Sequence, residues 1–234
     1  MRRKVTGIIG LWLVSCAVVM AADFWEEKEF TAWSDKDVEK MLSDSPWAKK
    51  VNIVMGGLSE QRNTGFTGGG GFGGGLIGGG GDGNSEFARI RRMSVNVVWM
   101  NALPVRRAMV RQAIGPNGAI PPEAEGFLTA DDPYYTVAIV GLPPAFNALN
   151  QIIDAVKAAT MIKRDDKAPI LPQEVGFFSD SAESLVTGMF QFPRTDLISL
   201  EDDEIEFITQ LGPNTEVKKK FKLKDMTFDD QLFL

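Results

Sequence analysis

The sequence predicts an α+β fold: a mixed sheet with two amphipathic helices, a C-terminal antiparallel hairpin and a long, disordered glycine-rich insertion. Three observations predict it. Segments with period-two alternation recur along the chain, two apolar stripes at helical spacing each follow a proline, and two alternating segments flank a Gly-Pro-Asn turn near the end. Because strand and helix patterns alternate in the middle of the chain, we expect helices packed on a sheet.

The first 22 residues are typical of a signal peptide. Arg2, Arg3 and Lys4 precede sixteen uncharged residues, Val5 to Met20, and the small residues at positions 21–22 follow. A basic N-terminus, an apolar run and small residues at a cleavage site are typical of a signal peptide. The run is slightly short for a helix that crosses about 30 Å of hydrocarbon, so an uncleaved single-span anchor is the weaker alternative. We therefore expect export to the periplasm, the cell envelope or the medium.

The only cysteine, Cys16, offers an alternative end to this segment. Leu13-Val14-Ser15-Cys16 resembles the lipobox of bacterial lipoproteins, in which the cysteine is lipidated. The following residues, 17–22, stay apolar, whereas a tether that leaves a membrane is usually polar. Cleavage near Ala22 is the favoured interpretation, and lipidation of Cys16 is the alternative. Contact with a membrane is expected only through such an N-terminal lipid.

Residues 23–48 are predicted to form an aromatic, helical N-terminal segment. Ser34 is a predicted N-cap, and Ser45-Pro46 should end the helix because the residue before proline avoids helical angles. Five large aromatic residues lie here: Phe24, Trp25, Phe30, Trp33 and Trp47. Burial against the core is the favoured role for them, and a carbohydrate or peptide platform is the alternative.

Residues 49–234 are expected to form a single domain that contains the glycine-rich loop 56–85. Gly56 to Gly83 holds 15 of the 24 glycines, and no GK[ST] sequence follows it, which argues against a nucleotide loop. Glycine-rich chain is costly to order, so a flexible loop between two strands is predicted. The alternative is a partner-binding role for the apolar residues within it, Phe66, Phe72, Leu76 and Ile77.

The central elements follow from periodicity and from proline and glycine positions. The predicted elements are strands at Val51–Met55, Phe87–Met100 and Tyr134–Val140, helices that start near Pro104 and Pro143-Pro144, and a surface loop over 115–132. Two further alternating segments, Glu204–Leu211 and Val217–Lys224, predict the hairpin. Pairing Leu211 with Val217 sets Phe207 opposite Phe221 and Ile205 opposite Leu223. The same register sets Glu206 opposite Lys222 and Glu204 opposite Lys224.

Six arginines within 23 residues are the candidate anion or partner patch: Arg89, Arg91, Arg92, Arg106, Arg107 and Arg111. A strand and the next helix can bring guanidinium groups together for lipid phosphates, acidic glycans or a partner's carboxylates. Internal pairing of these arginines with the surplus acids is the favoured interpretation, and the patch is the alternative. The lysines of 217–224 are interpreted as a solvated edge face beside an acidic strand.

Composition excludes many chemistries. The chain has no histidine, which removes Ser-His-Asp catalysis and His-ligated metals, and Cys16 is its single thiol. The net charge is −6 and becomes more negative when residues 1–22 are removed, which argues against nucleic-acid binding. No cofactor or metal site is predicted. The remaining enzyme candidate is a carboxylate-based hydrolase that uses two acids across a cleft. The paired acids are Asp131-Asp132, Asp165-Asp166, Glu201-Asp202-Asp203 and Asp229-Asp230.

Three stretches carry a resemblance: residues 30–51 with Trp-Ser-Asp-Lys-Asp and Ser-Pro-Trp-Ala-Lys, residues 97–108, and residues 204–226 with Val-Lys-Lys-Lys-Phe-Lys-Leu-Lys-Asp-Met. They resemble a group of exported bacterial proteins without an assigned activity. The resemblance implies export and a shared fold, and it transfers no catalytic residues. We therefore expect a non-enzymatic cell-envelope or secreted binding module whose partner is a protein or an envelope component. The alternative is a carboxylate-dependent glycan hydrolase.

Overall fold

The computed structural model describes residues 23–55 and 91–234. The predicted signal peptide over 1–22 with Cys16, and the predicted glycine-rich loop over 56–85, lie outside the described residues.

Helices are short in the described ranges. The α-helices are α1 (Phe24–Glu27), α2 (Asp35–Ser43), α3 (Leu103–Ile114), α4 (Pro122–Thr129) and α5 (Ile153–Ala158). The 3-10 helices span Phe30–Ala32, Pro144–Ile152, Leu200–Asp202 and Leu223–Asp225.

The strands of the described residues form three sheets. They are β1 (Ala48–Met55), β2 (Arg91–Trp99), β3 (Tyr134–Leu142), β4 (Met161–Arg164), β5 (Glu174–Phe178), β6 (Val186–Pro193), β7 (Glu204–Gly212), β8 (Thr215–Lys222), β9 (Thr227–Phe228) and β10 (Gln231–Leu232). The sheet orders are β1-β2-β3-β6-β5, β4-β7-β8 and β9-β10. The α+β class is confirmed. Each of these strand pairings is antiparallel, whereas the expected mixed sheet would combine parallel and antiparallel pairings.

The core lies between the five-stranded and three-stranded sheets. Trp99 contacts Phe221 with ring centroids 5.8 Å apart, and Phe190 contacts Phe207 at 5.3 Å, both edge to face. The hydroxyl of Thr215 also donates to the main-chain oxygen of Val54 at 3.1 Å, which joins β8 to β1. One face of the large sheet is thereby covered by the small sheet.

Four of the five N-terminal aromatic residues are buried and Phe24 is partly buried, as favoured from the sequence. Trp25 and Trp47 meet edge to face at 5.8 Å, and Trp33 is 1% exposed. The indole Nε1 of Trp47 donates to the main-chain oxygen of Phe233 at 2.8 Å. The aromatic cluster therefore holds α1 and α2 against the body of the protein rather than presenting a platform of exposed rings.

The capping and turn signals placed several elements correctly. Ser34 forms a capping box with Asp37 at the start of α2. Pro104 lies in the first turn of α3, and Gly115 ends that helix with a positive φ of 76°. Two expectations were wrong in part: α4 lies inside the predicted loop 115–132, and the helix expected after Pro143-Pro144 begins as a 3-10 helix.

The predicted C-terminal hairpin is present as β7 and β8, but its predicted register is wrong by two residues. Phe207 pairs with Lys219, and Ile205 pairs with Phe221. Gly212 pairs with Thr215 across a two-residue turn, and the register shifts between Gln210 and Gly212. The shift of two keeps every side chain on its predicted face, because side chains alternate with period two.

Candidate functional site

A groove of about 600 Å³ lies between the helices α2 and α3 and the second face of the large sheet. One wall comes from α2, the other from the second half of α3, and the floor from β1, β2 and β3. The groove lining is Asp35, Val38, Glu39, Leu42, Ser43, Lys50, Asn96, Val98, Met100, Met109, Arg111, Gln112, Gly115 and Val140. Apolar walls with a few polar groups are typical of a binding site.

Three side chains on the floor of the groove form a row that runs across strands β1, β2 and β3. Lys50 pairs with Asn96 across β1 and β2, and Asn96 pairs with Val140 across β2 and β3. Partners in adjacent strands project from the same face, so these three side chains stand side by side. Asn96 occupies the middle, between an exposed lysine and a 37% exposed valine.

Arg111 is the charged group at the buried side of the groove. It lies in the last turn of α3, where a cation is favoured by the helix dipole, and it is only 2% exposed. Its Nη2 donates to Oδ1 of Asp35 in the first turn of α2 at 3.2 Å. The Asp35 side chain is 92% exposed, so the guanidinium is buried while its counter-charge stays in solvent.

Two buried polar atoms of the groove have no hydrogen-bond partner within the described part of the chain. They are Nε of Arg111, a donor, and Oδ1 of Asn96, an acceptor. A buried polar atom without a partner costs about 1–3 kcal/mol. Such groups are uncommon in folded proteins, and four others in the described residues belong to Trp99, Arg164 and Arg194.

Arg106 and Arg107 do not join Arg111 in one patch. Arg106 is buried and donates from Nη1 to the main-chain oxygens of Phe127 and Ala130 at 3.1 and 2.7 Å. Arg107 stacks on the rings of Phe30 and Phe228 at 5.7 and 4.8 Å. These two guanidiniums therefore serve internal packing.

The remaining predicted arginines belong to β2 or precede it. Arg92 is exposed on β2, where it pairs with Val54 of β1. Arg91 is the first residue of β2 and pairs with Met55, and Arg89 lies outside the described residues.

A second, polar pocket of about 340 Å³ surrounds Arg106 and Arg194. Asp131 and Asp132 line it as well. Burial lowers the pKa of Arg106; Asp132 opposes that shift, and Arg194 adds to it. Arg194 stacks on Tyr135 at 4.6 Å and donates to the main-chain oxygen of Leu234. The polar lining of this second pocket gives a ligand little apolar surface to bury, so the pocket is the weaker candidate for a binding site.

Several of the paired acids serve turns or an ion pair in the described ranges. Asp132 accepts from the main-chain nitrogen of Tyr134 at 3.0 Å, and Asp229 and Asp230 adopt positive φ. Burial opposes ionisation of Asp202, but Lys167 and the main-chain nitrogen of Ser199 lower its pKa overall. In the groove, Asp35 and Glu39 project from the same helix, so they do not face each other across a cleft.

Two other carboxyl groups also have lowered pKa values. Burial raises the pKa of Asp37, but hydrogen bonds from Ser34 and Lys28 outweigh burial and lower it overall. The Arg164 guanidinium, which donates to Asp196, lowers the pKa of that carboxyl. These acids are held ionised by internal partners, which is the opposite of what a general acid requires.

Two lysines of β8 pair with acids of β7, but not in the predicted pairs. Lys220 lies 2.5 Å from Glu204 and Lys218 lies 3.5 Å from Glu206, whereas Lys224 and Lys222 were the predicted partners. The favoured interpretation of a solvated, neutralised strand face is therefore confirmed, and the basic run is not an isolated cationic site.

Within residues 23–55 and 91–234, no group of three or more acidic or thiol side chains is arranged to hold a metal ion. No helix in the same ranges is long and apolar enough to cross a membrane. Protein-family models, curated protein sequences and solved structures yield no significant match to the chain.

Proposed function

We propose that this protein is an exported, non-enzymatic binding module that holds part of a cell-envelope or secreted partner in the groove between α2, α3 and the sheet. The observation that carries the proposal is the groove itself, which has a volume of about 600 Å³, apolar walls and the buried guanidinium of Arg111 among its lining residues. A ligand that fills the groove buries its own apolar surface against Val38, Leu42 and Met109.

A carboxylate-dependent glycan hydrolase is the weaker alternative. Such an enzyme needs two acids about 5–10 Å apart on opposite sides of the scissile bond. The groove acids Asp35 and Glu39 share helix α2, and Asp35 is already paired with Arg111. Binding without chemistry fits this arrangement better.

Export belongs to the same proposal. The signal pattern over 1–22 supports release after cleavage near Ala22, with lipidation of Cys16 as the alternative. Labelling cells with a clickable fatty acid distinguishes the two: label that is lost in Cys16→Ala indicates a lipoprotein, and an unlabelled wild-type chain indicates release.

Photo-cross-linking in cells tests the groove. The full chain is produced with p-benzoylphenylalanine at Val140, which is 37% exposed on the groove floor, or at Leu197, which is 65% exposed outside the groove lining. We expect a discrete adduct from position 140 only, lost when Met109→Glu places a charge in the groove. Identical adducts from both positions, or an adduct that Met109→Glu leaves intact, would contradict the proposal.

A further inference from the structure

We infer that the second pocket binds a small zwitterion, whose carboxylate is held by two arginines and whose ammonium group lies beside two aspartates. The arginines are Arg106 and Arg194, the aspartates are Asp131 and Asp132, and all four line the pocket. The second pocket and the groove share no lining residue in the described part of the chain. The inference therefore concerns a separate site and does not depend on the proposed function.

Arg106 carries a buried charge without a counter-charge. It is 6% exposed, and its Nη1 donates to the main-chain oxygens of Phe127 and Ala130. The other buried arginines of the described ranges, Arg111 and Arg164, each form an ion pair with an aspartate, whereas Arg106 forms none there. A buried charge is unfavourable unless an opposite charge accompanies it. A carboxylate in the pocket would supply that opposite charge.

Arg106 and Arg194 are tied to the two ends of one short segment. Nη1 of Arg106 donates to the main-chain oxygen of Ala130 at 2.7 Å, and the main-chain nitrogen of Arg194 donates to that of Pro133 at 3.0 Å. The guanidinium of Arg194 stacks on the ring of Tyr135 at 4.6 Å, which fixes its plane. Guanidinium groups held in place beside one pocket are suited to bind a carboxylate through charge-assisted hydrogen bonds.

The two acids lie between these contacts, at the middle of the same segment. Asp131 is exposed, and Asp132 accepts from the main-chain nitrogen of Tyr134 at 3.0 Å. Neither acid forms an ion pair with a basic side chain of the described residues. A simple anion such as phosphate would be repelled by both acids. A ligand with an ammonium group next to its carboxylate matches both signs of charge.

The size and polarity of the pocket suit such a ligand. Its volume of about 340 Å³ lies at the lower end of the range of about 300–1,000 Å³ that is usual for ligand sites. The polar lining is a disadvantage for a large apolar partner. A zwitterion of amino-acid size is held by charge and hydrogen bonds instead, so it needs little apolar surface.

NMR titration of the ¹⁵N-labelled full chain tests the inference with four probes. L-alanine carries both charges, N-acetyl-L-alanine lacks the ammonium group, L-alaninamide lacks the carboxylate, and inorganic phosphate is a simple anion. The variants are Arg194→Gln and Asp131→Asn. Asp180→Asn is the matched control for Asp131→Asn, because Asp180 is also exposed and lies outside the pocket lining.

We expect L-alanine to shift the backbone amides of residues 130–132 and to bind about tenfold more tightly than either derivative, since each derivative lacks one charged contact. Asp131→Asn should remove the preference for L-alanine over N-acetyl-L-alanine. Arg194→Gln should weaken the binding of both carboxylate probes about tenfold, and Asp180→Asn should change neither. Loss of the preference through Asp131→Asn separates a direct contact from a general effect on folding, because a folding defect would weaken both probes alike.

Three results overturn the inference. Phosphate or N-acetyl-L-alanine that binds as tightly as L-alanine rejects the zwitterion as the ligand class. L-alanine binding that neither Asp131→Asn nor Arg194→Gln weakens rejects the second pocket as its site. Unchanged spectra with all four probes reject a ligand of this size and chemistry altogether.

Discussion

Two tryptophans of equal burial provide a direct test of the core energetics. Trp47 and Trp99 are both 0% exposed. The Nε1 of Trp47 donates to Phe233 at 2.8 Å, whereas the Nε1 of Trp99 has no partner in the described residues. We predict that Trp47→Phe destabilises the protein and that Trp99→Phe does so far less or not at all.

The magnitudes follow from volume and hydrogen bonding. Either change removes about 40 Å³ of side chain, which costs about 1 kcal/mol at about 24 cal/mol per Å³ of cavity. Trp47→Phe also leaves the main-chain oxygen of Phe233 without its donor, which adds about 1–2 kcal/mol and gives a total of about 2–3 kcal/mol. Trp99→Phe instead removes a donor that is buried without a partner. The folded state no longer carries the desolvation cost of that donor, about 1–3 kcal/mol, and this gain offsets the cost of the cavity.

Urea unfolding of the full-length wild type and both variants measures the difference. The free energies of unfolding should differ by at least about 2 kcal/mol between the variants, with unchanged m-values. An equal or larger loss in Trp99→Phe would show that cavity formation, not the fate of the indole N–H, dominates at these positions. Because Trp47 belongs to the cluster that holds α2, its loss should also loosen the groove wall.

Two further predictions concern an edge strand and acid stability. The amide of Asn150 accepts from Phe177 N at 3.1 Å and donates to Phe177 O at 2.8 Å, so it occupies the backbone groups of edge strand β5. Asn150→Leu frees them and should cause concentration-dependent association, measured by light scattering; a monomer at all concentrations would contradict this. The lowered pKa of Asp202 means that its carboxylate stabilises the fold above an unfolded pKa of about 3.9, and that this contribution is lost as pH falls through the folded value. Asp202→Asn should therefore lower the urea midpoint at pH 7 and flatten its fall below about pH 4, whereas a curve parallel to wild type would refute the assignment.

Local sequence signals predicted where helices and strands lie better than they predicted which residues of neighbouring strands pair. The α2 cap at Ser34 and the α3 stop at Gly115 were predicted correctly because capping and positive φ depend on neighbouring residues. The β7–β8 faces were also predicted, but the register was not. An alternating pattern is unchanged by a shift of two, and only the turn at Pro213-Asn214 decides between the alternatives.

The candidate site could be predicted only in part. Arg111 was singled out from the sequence as part of a surface patch, yet it is buried beside Asp35, 76 residues away along the chain. Asn96 and Val140 were missed because they become neighbours only through the pairing of β2 with β3. A local signal for Arg111 was its spacing from Ala108, which is buried and lies three residues earlier on the same face of α3.

Chemical-shift mapping of the ¹⁵N-labelled full chain with the partner captured by the Val140 cross-link tests the central claim most directly. We predict that the backbone amides of Asn96, Val98 and Met109, which line the groove, shift on titration. Shifts centred on Arg106 and Arg194, with the groove amides unchanged at saturation, would contradict the assignment of the groove as the binding site.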